Sequence, residues 1–240
     1  PRDGKLFIYN GGLIGGGWGA THRSDGMSAT ICINDGDTHN SPVEQVEAKY
    51  PLMVERYMLR PDSGGAGRWQ GGLGTEKSVQ AGSPFAFNAQ IERVHCRPWG
   101  LFGGHPGAGN EVAVRDRTGK EIRFPSGKVL GRNMAEGDAY ILRSGGGGGY
   151  GSPLERPLQR IEADLRQGYI SRGRAESCYG VVFEEASGRI DVAATNGRRA
   201  QFSKASAGLT RSDDEMTPVP ADTPEGLYLL QGRLFPLRCC

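Results

Sequence analysis

No stretch of this chain holds the ~18 consecutive apolar residues that a membrane-spanning helix needs, and no basic start followed by a short apolar run marks an export leader. A membrane or exported protein is therefore not expected, and a cytoplasmic one is. An excess of one charge sign is missing too. The 29 Lys and Arg residues against 27 Asp and Glu leave a formal charge of +2, with arginines scattered rather than striped. Electrostatics thus gives no support to nucleic-acid or membrane-surface binding. Cysteine is sparse and unpatterned: Cys32, Cys96, Cys178, Cys239 and Cys240 are odd in number and contain no Cys-x-x-Cys, which fits a reducing compartment better than a disulfide framework. Cys239 and Cys240 read as a frayed tail with two thiols, or as ligands to a metal shared with another chain. There is no initiator methionine, and Pro1 leads almost at once into the apolar run Leu6–Tyr9; this is the expectation for a chain that begins inside a domain.

Glycine is what the chain has in excess, with 39 of 240 residues against a usual ~7%. No Gly-X-Y period accompanies it, so collagen is excluded, and the strand-like segments between the glycines argue against disorder. The length suits one large domain or two small ones with a real core. The expectation is a turn-rich protein whose backbone often takes positive φ or closely approaches other atoms.

Along the chain, Leu6–Tyr9 leads into a glycine-rich loop in which Gly15, Gly17 and Ala20 satisfy Gly-x-Gly-x-x-Ala. No amphipathic helix follows, and a dinucleotide site needs strand, turn and helix together. A loop packed under other backbone, anchored by Trp18, is the plainer reading. Ser28–Ile33 alternates as a strand. Pro42 ahead of VEQVEAKY predicts a short helix. Leu52–Leu59 reads as a strand with bulky side chains on both faces, hence between two layers. Residues 76–96 read as short strands, 111–123 as a hairpin around RTGK, and 127–143 as further strands. Ser152 and Pro153 cap an amphipathic helix near 153–167 with Leu154, Leu158, Ile161 and Leu165 on one face and Gly168 at its end. Ser171 caps a second helix through Cys178 that Gly180 ends. Tyr179–Phe183 and Arg189–Ala193 pair as a hairpin by pattern. From Thr195 onward no helix is expected, only extended chain, with Leu227–Leu230 as an apolar contact.

Polar chemistry concentrates between Asp35 and Gly74. Glu44 and Glu47 share a helix face at i, i+3 beside His39 and Asn40, an arrangement able to move protons or hold a hard cation; a solvated acidic face is the plain alternative. Arg60 suits a bidentate carboxylate contact, and Asp62 before Ser63-Gly64-Gly65 suits a turn that presents backbone N–H groups to an anion, or simply an Arg/Asp-stabilised turn. Arg93 and His95 share one face of a strand and precede Arg97-Pro98-Trp99-Gly100, where an anion could be received; a structural histidine beside Cys96 is the alternative. No orienting partner can be identified for Cys96 as a nucleophile. Gly146, Gly148 and Gly151 match Gly-x-Gly-x-x-Gly ahead of a helix N-terminus, but no convincing second strand with an acidic residue follows, so a loop lining a cleft or a subunit interface fits better.

The segments GGWGA (16–20), DGDTHNSPVEQVEAKYP (35–51), ERYMLRPDSGGAGRWQGGLG (55–74), RPWGLFGGHPGA (97–108) and GGGGGYGSPLERP (145–157) together resemble the hydantoinase B family. That family also includes the C-terminal part of 5-oxoprolinases and a large subunit of acetone and acetophenone carboxylases. The match runs collinearly over residues 4–183. The family's N-terminal half, whose histidine and aspartate motifs are associated with a metal site, has no counterpart in these 240 residues, so the chain looks like the C-terminal part of such a subunit.

The expectation is an α+β protein: strand-rich, glycine-rich mixed sheets, a few short helices and an extended C-terminal tail. Its domains would be 1–194, hydantoinase-B-like, and 195–240, docking on a partner chain. The resemblance implies one component of an ATP-dependent cyclic amide hydrolase that opens hydantoin, lactam or 5-oxoproline rings through a phosphorylated intermediate. ATP and Mg would sit on a hydantoinase-A-like partner. A divalent metal (Zn, Mn or Fe) would be held mainly by the family's N-terminal half. A ketone carboxylase subunit and a non-catalytic structural subunit are the alternatives. Candidate catalytic residues are His39, Glu44 and Asp62, and candidate substrate-binding residues are Asn40, Arg60, Arg93 and His95. Gly64, Gly65, Gly146, Gly148 and Gly151 are the candidate anion-binding loop positions.

Overall fold

Alternating apolar residues build the centre of the molecule. The computed structural model describes residues 6–11, 14–31, 41–185, 187–207, 227–230 and 233–236. Helix α1 (Val43–Lys49) leads into strand β1 (Leu52–Leu59), followed by β2 (Thr75–Ala81), β3 (Phe85–Gln90), β4 (Glu111–Arg115), β5 (Glu121–Arg123), β6 (Lys128–Met134) and β7 (Ala139–Arg143). Helices α2 (Leu158–Arg166), α3 (Arg172–Tyr179) and α4 (Val192–Ala207) follow, and β8 (Leu227–Leu230) pairs with β9 (Arg233–Pro236). A five-stranded sheet runs in the order β1-β2-β7-β4-β5, every neighbouring pair antiparallel, while β3 and β6 form a separate ribbon. The architecture is α+β with antiparallel sheets and short helices. No helix among the described residues is long and apolar enough to cross a membrane.

Strand alternation sends Val79, Val112, Val114, Tyr140 and Leu142 to one face of the sheet, where Phe87, Val129 and Met134 of the β3–β6 ribbon close a buried core over them. The Phe87 and Tyr140 rings stack with centroids 4.8 Å apart. The other face carries a lattice of ions. Arg115 donates to both oxygens of Glu55, Ser78 to Glu55, Arg56 to Glu76, and Arg143 to Glu76, Glu111 and Glu121. Beneath these long side chains Ala113, Ala139 and Ile141 are buried, because aliphatic stems cover apolar surface while their heads stay wet.

This lattice makes the protein acid-sensitive. Burial alone would raise the Glu55 and Glu76 carboxyls, but hydrogen bonds from Ser78, Arg115, Arg143 and Arg56 hold both below their usual value of 4.5. Arg143 holds Glu121 down as well. Carboxyls depressed in the folded state contribute stability at pH above their unfolded value and lose it as pH falls through the folded value. The thermal midpoint is therefore expected to fall steeply below pH 4.5, and Arg143→Gln to flatten that dependence, as followed by circular dichroism between pH 7 and pH 3. An unchanged profile in the variant would contradict this account.

A second core joins Ile161, Ile170, Ala175, Tyr179 and Val181 to Ala66, with Leu158 and Leu165 against it. The expected amphipathic helix is divided. Ser152 caps a 3-10 turn over Pro153–Glu155, and the α-helix begins only after Pro157, whose ring fixes φ and removes a donor. Helix α3 is as expected, with the Ser171 hydroxyl accepting from the Arg174 N–H and Gly180 closing it at φ 65°.

Several expectations are corrected. Strand β1 lies at the sheet edge, with Met53 and Met58 exposed, rather than between two layers. The run 28–31 forms only an isolated bridge, Thr30 to Gly16, and the expected second hairpin only the bridge Phe183 to Ile190. Helix α4 occupies the start of the segment expected to be extended. Asp191 caps it by accepting from the Ala194 N–H at 2.8 Å.

Candidate functional site

The glycines explain themselves once hydrogen bonds are followed along 144–151. Gly145 and Gly148 accept from Gly17 and Ala20; Gly146 and Gly149 donate to Ala108 and His105; Gly147 and Tyr150 donate to Gly72 and Trp69. Each third residue thus meets the same neighbour. A β-strand would repeat every two residues; a repeat of three is that of an extended helix of the polyproline II type. Segments 16–20, 63–74, 97–109 and 144–151 pack in this way, backbone directly on backbone. A Cβ on Gly147 would lie 1.8 Å from the Trp18 carbonyl oxygen, and one on Gly71 1.9 Å from that of Gly147.

Side chains project only from the bundle's margins. On one flank Trp18, Trp99, Arg93, Asn110, Ile14 and Pro98 line a groove of about 800 Å3 whose floor is the backbone of Gly145–Gly148. Trp18 is 42% exposed and Trp99 56%, so neither indole serves the core. Arg93 is held at φ 54°, the left-handed region that a side chain takes only when its surroundings impose it. The constraint comes from Asn110. Its backbone N–H donates to the Arg93 carbonyl at 3.1 Å, its side-chain amide donates to the Glu92 carbonyl at 2.6 Å, and its side-chain oxygen accepts from the Gly145 N–H at 2.6 Å.

The structure thus brings Arg93, Gly146 and Gly148 together along one groove. Arg60 stands behind its wall, donating to the carbonyls of Gly109 and Ser144 at 2.9 and 3.2 Å with Glu111 3.6 Å away; burial lowers its pKa. Asp62, at φ 61°, accepts the Ser171 N–H at 2.7 Å and so docks the start of α3. Gly64 and Gly65 pack against Gly71, His105 and Gly149, with the Gly65 N–H donating to Gly147, so that amide serves the bundle. Gly151 turns the chain at φ 73° and its N–H donates to Leu101. Glu44 is exposed on α1, and His95 is exposed beyond the groove. His39 and Asn40 lie outside the described residues.

Sequence reasoning missed the indoles as a pair, because Trp18 and Trp99 are 81 positions apart and only the bundle joins them. Outside the groove, His105 and Arg174 hold the half-buried Cys178 thiol below its ordinary pKa against burial. Among the described residues no group of three His, Cys, Asp or Glu side chains stands close enough to hold a metal ion. The described residues do not fit a resident metal.

Residues 1–153 match the model of the family described as Hydantoinase B/oxoprolinase. The caprolactamase subunit beta of Pseudomonas jessenii is 33% identical over 200 residues, covering 77% of this chain and 32% of that protein. The crystal structure of the ATP-dependent caprolactamase superposes with a TM-score of 0.67 at 30% identity, over 78% of this chain and 33% of the other. The 5-oxoprolinase of Dictyostelium discoideum is 31% identical over 149 residues, covering 62% of this chain and 11% of its own length. A nucleotide-free acetone carboxylase superposes with a TM-score of 0.71 over 82% of this chain and 30% of the other; at 24% identity this likeness speaks for the fold alone. The chain spans about a third or less of the length of the relatives it matches. With a family model matched across more than half of its residues, this chain belongs to the hydantoinase B/oxoprolinase family.

Proposed function

We propose that the chain forms one wall of the substrate cleft in an ATP-dependent cyclic amide hydrolase, as part of its hydantoinase-B-like subunit. The observation that carries this reading is the groove, which gathers Arg93, two indoles and a glycine floor on a chain 33% identical to a caprolactamase subunit. A hydantoinase-A-like partner holds ATP and Mg in this proposal, and the family's N-terminal half holds a divalent metal. The setting is cytoplasmic. Phosphorylation of the amide oxygen by ATP makes the ring carbon electrophilic; water adds there, the ring C–N bond breaks with the nitrogen leaving as a protonated amine, and a second water releases phosphate from the acyl phosphate to give the carboxylate. This chain's part is to bind and orient the ring and to place positive charge beside developing negative charge, where preorganised donors have most effect. His39, Asn40 and Glu44 stay in the proposal as groups delivered by the stretch ahead of β1.

The test is ATP hydrolysis by the assembled complex offered hydantoins, 5-oxoproline, lactams and ketones, with and without bicarbonate. Cyclic amides are expected to drive turnover with no need for bicarbonate. A response only to a ketone with bicarbonate would overturn the hydrolase reading in favour of a carboxylase, which the fold also accommodates. Undiminished turnover after Trp99→Ala and His39→Ala, with assembly intact, would leave the chain a structural role.

A further inference from the structure

We propose that Cys178, together with His105 and Arg174, is a redox-modification site: a thiol that a peroxide oxidises to a sulfenic acid and that a low-molecular-weight thiol then caps as a mixed disulfide. None of the three residues lines the groove, so the site stands or falls independently of the substrate reading.

Two elements assemble the cluster. Arg174 and Cys178 lie one turn apart on α3 and hence on one face. His105 comes from the 97–109 segment, and its imidazole hydrogen-bonds the Cys178 sulfur. The backbone of His105 is fixed in the glycine bundle: its N–H donates to the Ala66 carbonyl at 2.7 Å, and its carbonyl accepts from the Gly149 N–H at 3.0 Å. Arg174 is held by donating to the Gly64 carbonyl at 3.0 Å. The Ser177 hydroxyl adds a third polar group, 3.7 Å from the sulfur. Glu176, the one acid on α3, is engaged by Arg172 at 3.2 Å, and the Tyr179 phenol donates to Gln70.

These surroundings mark the thiol as reactive rather than structural. A structural cysteine is enclosed by apolar atoms and inert, whereas a reactive one is partly exposed among cationic groups. Cys178 packs on one side against the second core but is only half-buried, and the His105 side chain is exposed. Imidazole and guanidinium favour the thiolate against burial, and the thiolate is the form that attacks.

In the first step the Cys178 thiolate attacks one peroxide oxygen. The S–O bond forms and the O–O bond breaks; the departing hydroxide takes from His105 the proton that the thiol gave up, and leaves as water. Sulfur is oxidised and peroxide reduced. The second thiol then attacks the sulfenic sulfur, and its S–S bond forms as the S–O bond breaks and a further water leaves. Excess thiol reverses the modification.

The test treats the freshly reduced full chain at pH 7 with limiting iodoacetamide, or with hydrogen peroxide and glutathione, and follows each cysteine by peptide mass mapping. Among the described residues Cys96 is the other free cysteine, and it is exposed. Accessibility alone would make Cys96 the faster of the two. The expected result is the opposite, with Cys178 alkylated at least ~3-fold faster and carrying more glutathione, removable by dithiothreitol. His105→Ala should slow Cys178 by ~3- to 10-fold and leave Cys96 unmoved. His105→Gln, which keeps a donor, should retain part of the rate, and Arg174→Gln should cost a smaller factor. Since the His105 side chain is exposed, its variants should keep the wild-type thermal midpoint; if one unfolds, the wild-type comparison of Cys178 with Cys96 decides alone. Faster labelling of Cys96 than of Cys178, or a Cys178 rate untouched by His105→Ala, would overturn the proposal.

Discussion

Gly147→Ala is expected to destabilise the protein by more than ~4 kcal/mol and to leave little folded material at 37 °C. The added methyl would lie 1.8 Å from the Trp18 carbonyl oxygen, 2.1 Å from its carbon and 2.6 Å from the Gly19 nitrogen. All three are backbone atoms of a neighbouring segment, so no rotamer change can relieve the contact. Relief requires separating segments 16–20 and 144–151, which breaks the bonds from Gly17 and Ala20 to Gly145 and Gly148. Against a total stability of ~5–15 kcal/mol this is a large fraction. The same substitution at Gly197 provides the control. That glycine lies within α4, and a Cβ there meets nothing within 4 Å, so Gly197→Ala should stabilise by ~0.5–1 kcal/mol. Chemical denaturation of the three proteins would check both signs. A Gly147→Ala protein with an unchanged midpoint would refute the packing described for the bundle.

Arg156→Met is expected to cost ~3–5 kcal/mol, the range for removing one partner of a buried ion cluster. The Arg156 side chain is 2% exposed, and it donates to both oxygens of Asp25 at 2.8 and 3.0 Å, twice to Asp164 at 3.0 and 2.8 Å, and to the Arg68 carbonyl at 3.2 Å. Its own carbonyl accepts from Arg199. One guanidinium thereby ties Asp25, the bundle and α2. Burial already pushes the Asp164 carboxyl up against the pull of Arg156; without the guanidinium that pull is lost and the buried carboxylate is left without its main partner. Pairing Arg156→Met with Asp164→Asn should therefore recover part of the loss. Denaturation midpoints of the single and double variants measure this, and equal losses in both would show that the ion cluster is not the cause.

Much of the sheet was legible because alternation dictates which residues face the core. Val112 and Val114 alternate along the hairpin expected at 111–123, and both are buried in the core. Ser171 and Gly180 marked α3 because caps leave specific residue types at specific places. Helix α4 was hidden because its anchors are not an apolar stripe: Arg199 donates to the carbonyls of Tyr179 and Arg156, and Gly197 sits in its middle. The Asp191 cap was the one available signal. As for the groove, Arg93, Gly146 and Gly148 were named from their chemistry, but nothing local joins them to Trp18. The bundle's period of three resembles neither helix nor strand, and a run of glycines carries no pattern of polar and apolar residues from which to read its partners.

The order of hydrogen bonds around 144–151 also bears on biosynthesis. Segments 16–20, 69–72 and 105–108 each bond to this one stretch, and Gly17 must wait for Gly145, 128 residues later in the chain. Contacts so distant in sequence slow folding. Glycines also forfeit more conformational freedom on ordering than other residues, so a partial bundle has little to hold it. On the ribosome, segments 16–20, 69–72 and 105–108 should stay unpaired until the 144–151 segment that joins them emerges, exposed meanwhile to proteases and chaperones that the finished bundle excludes.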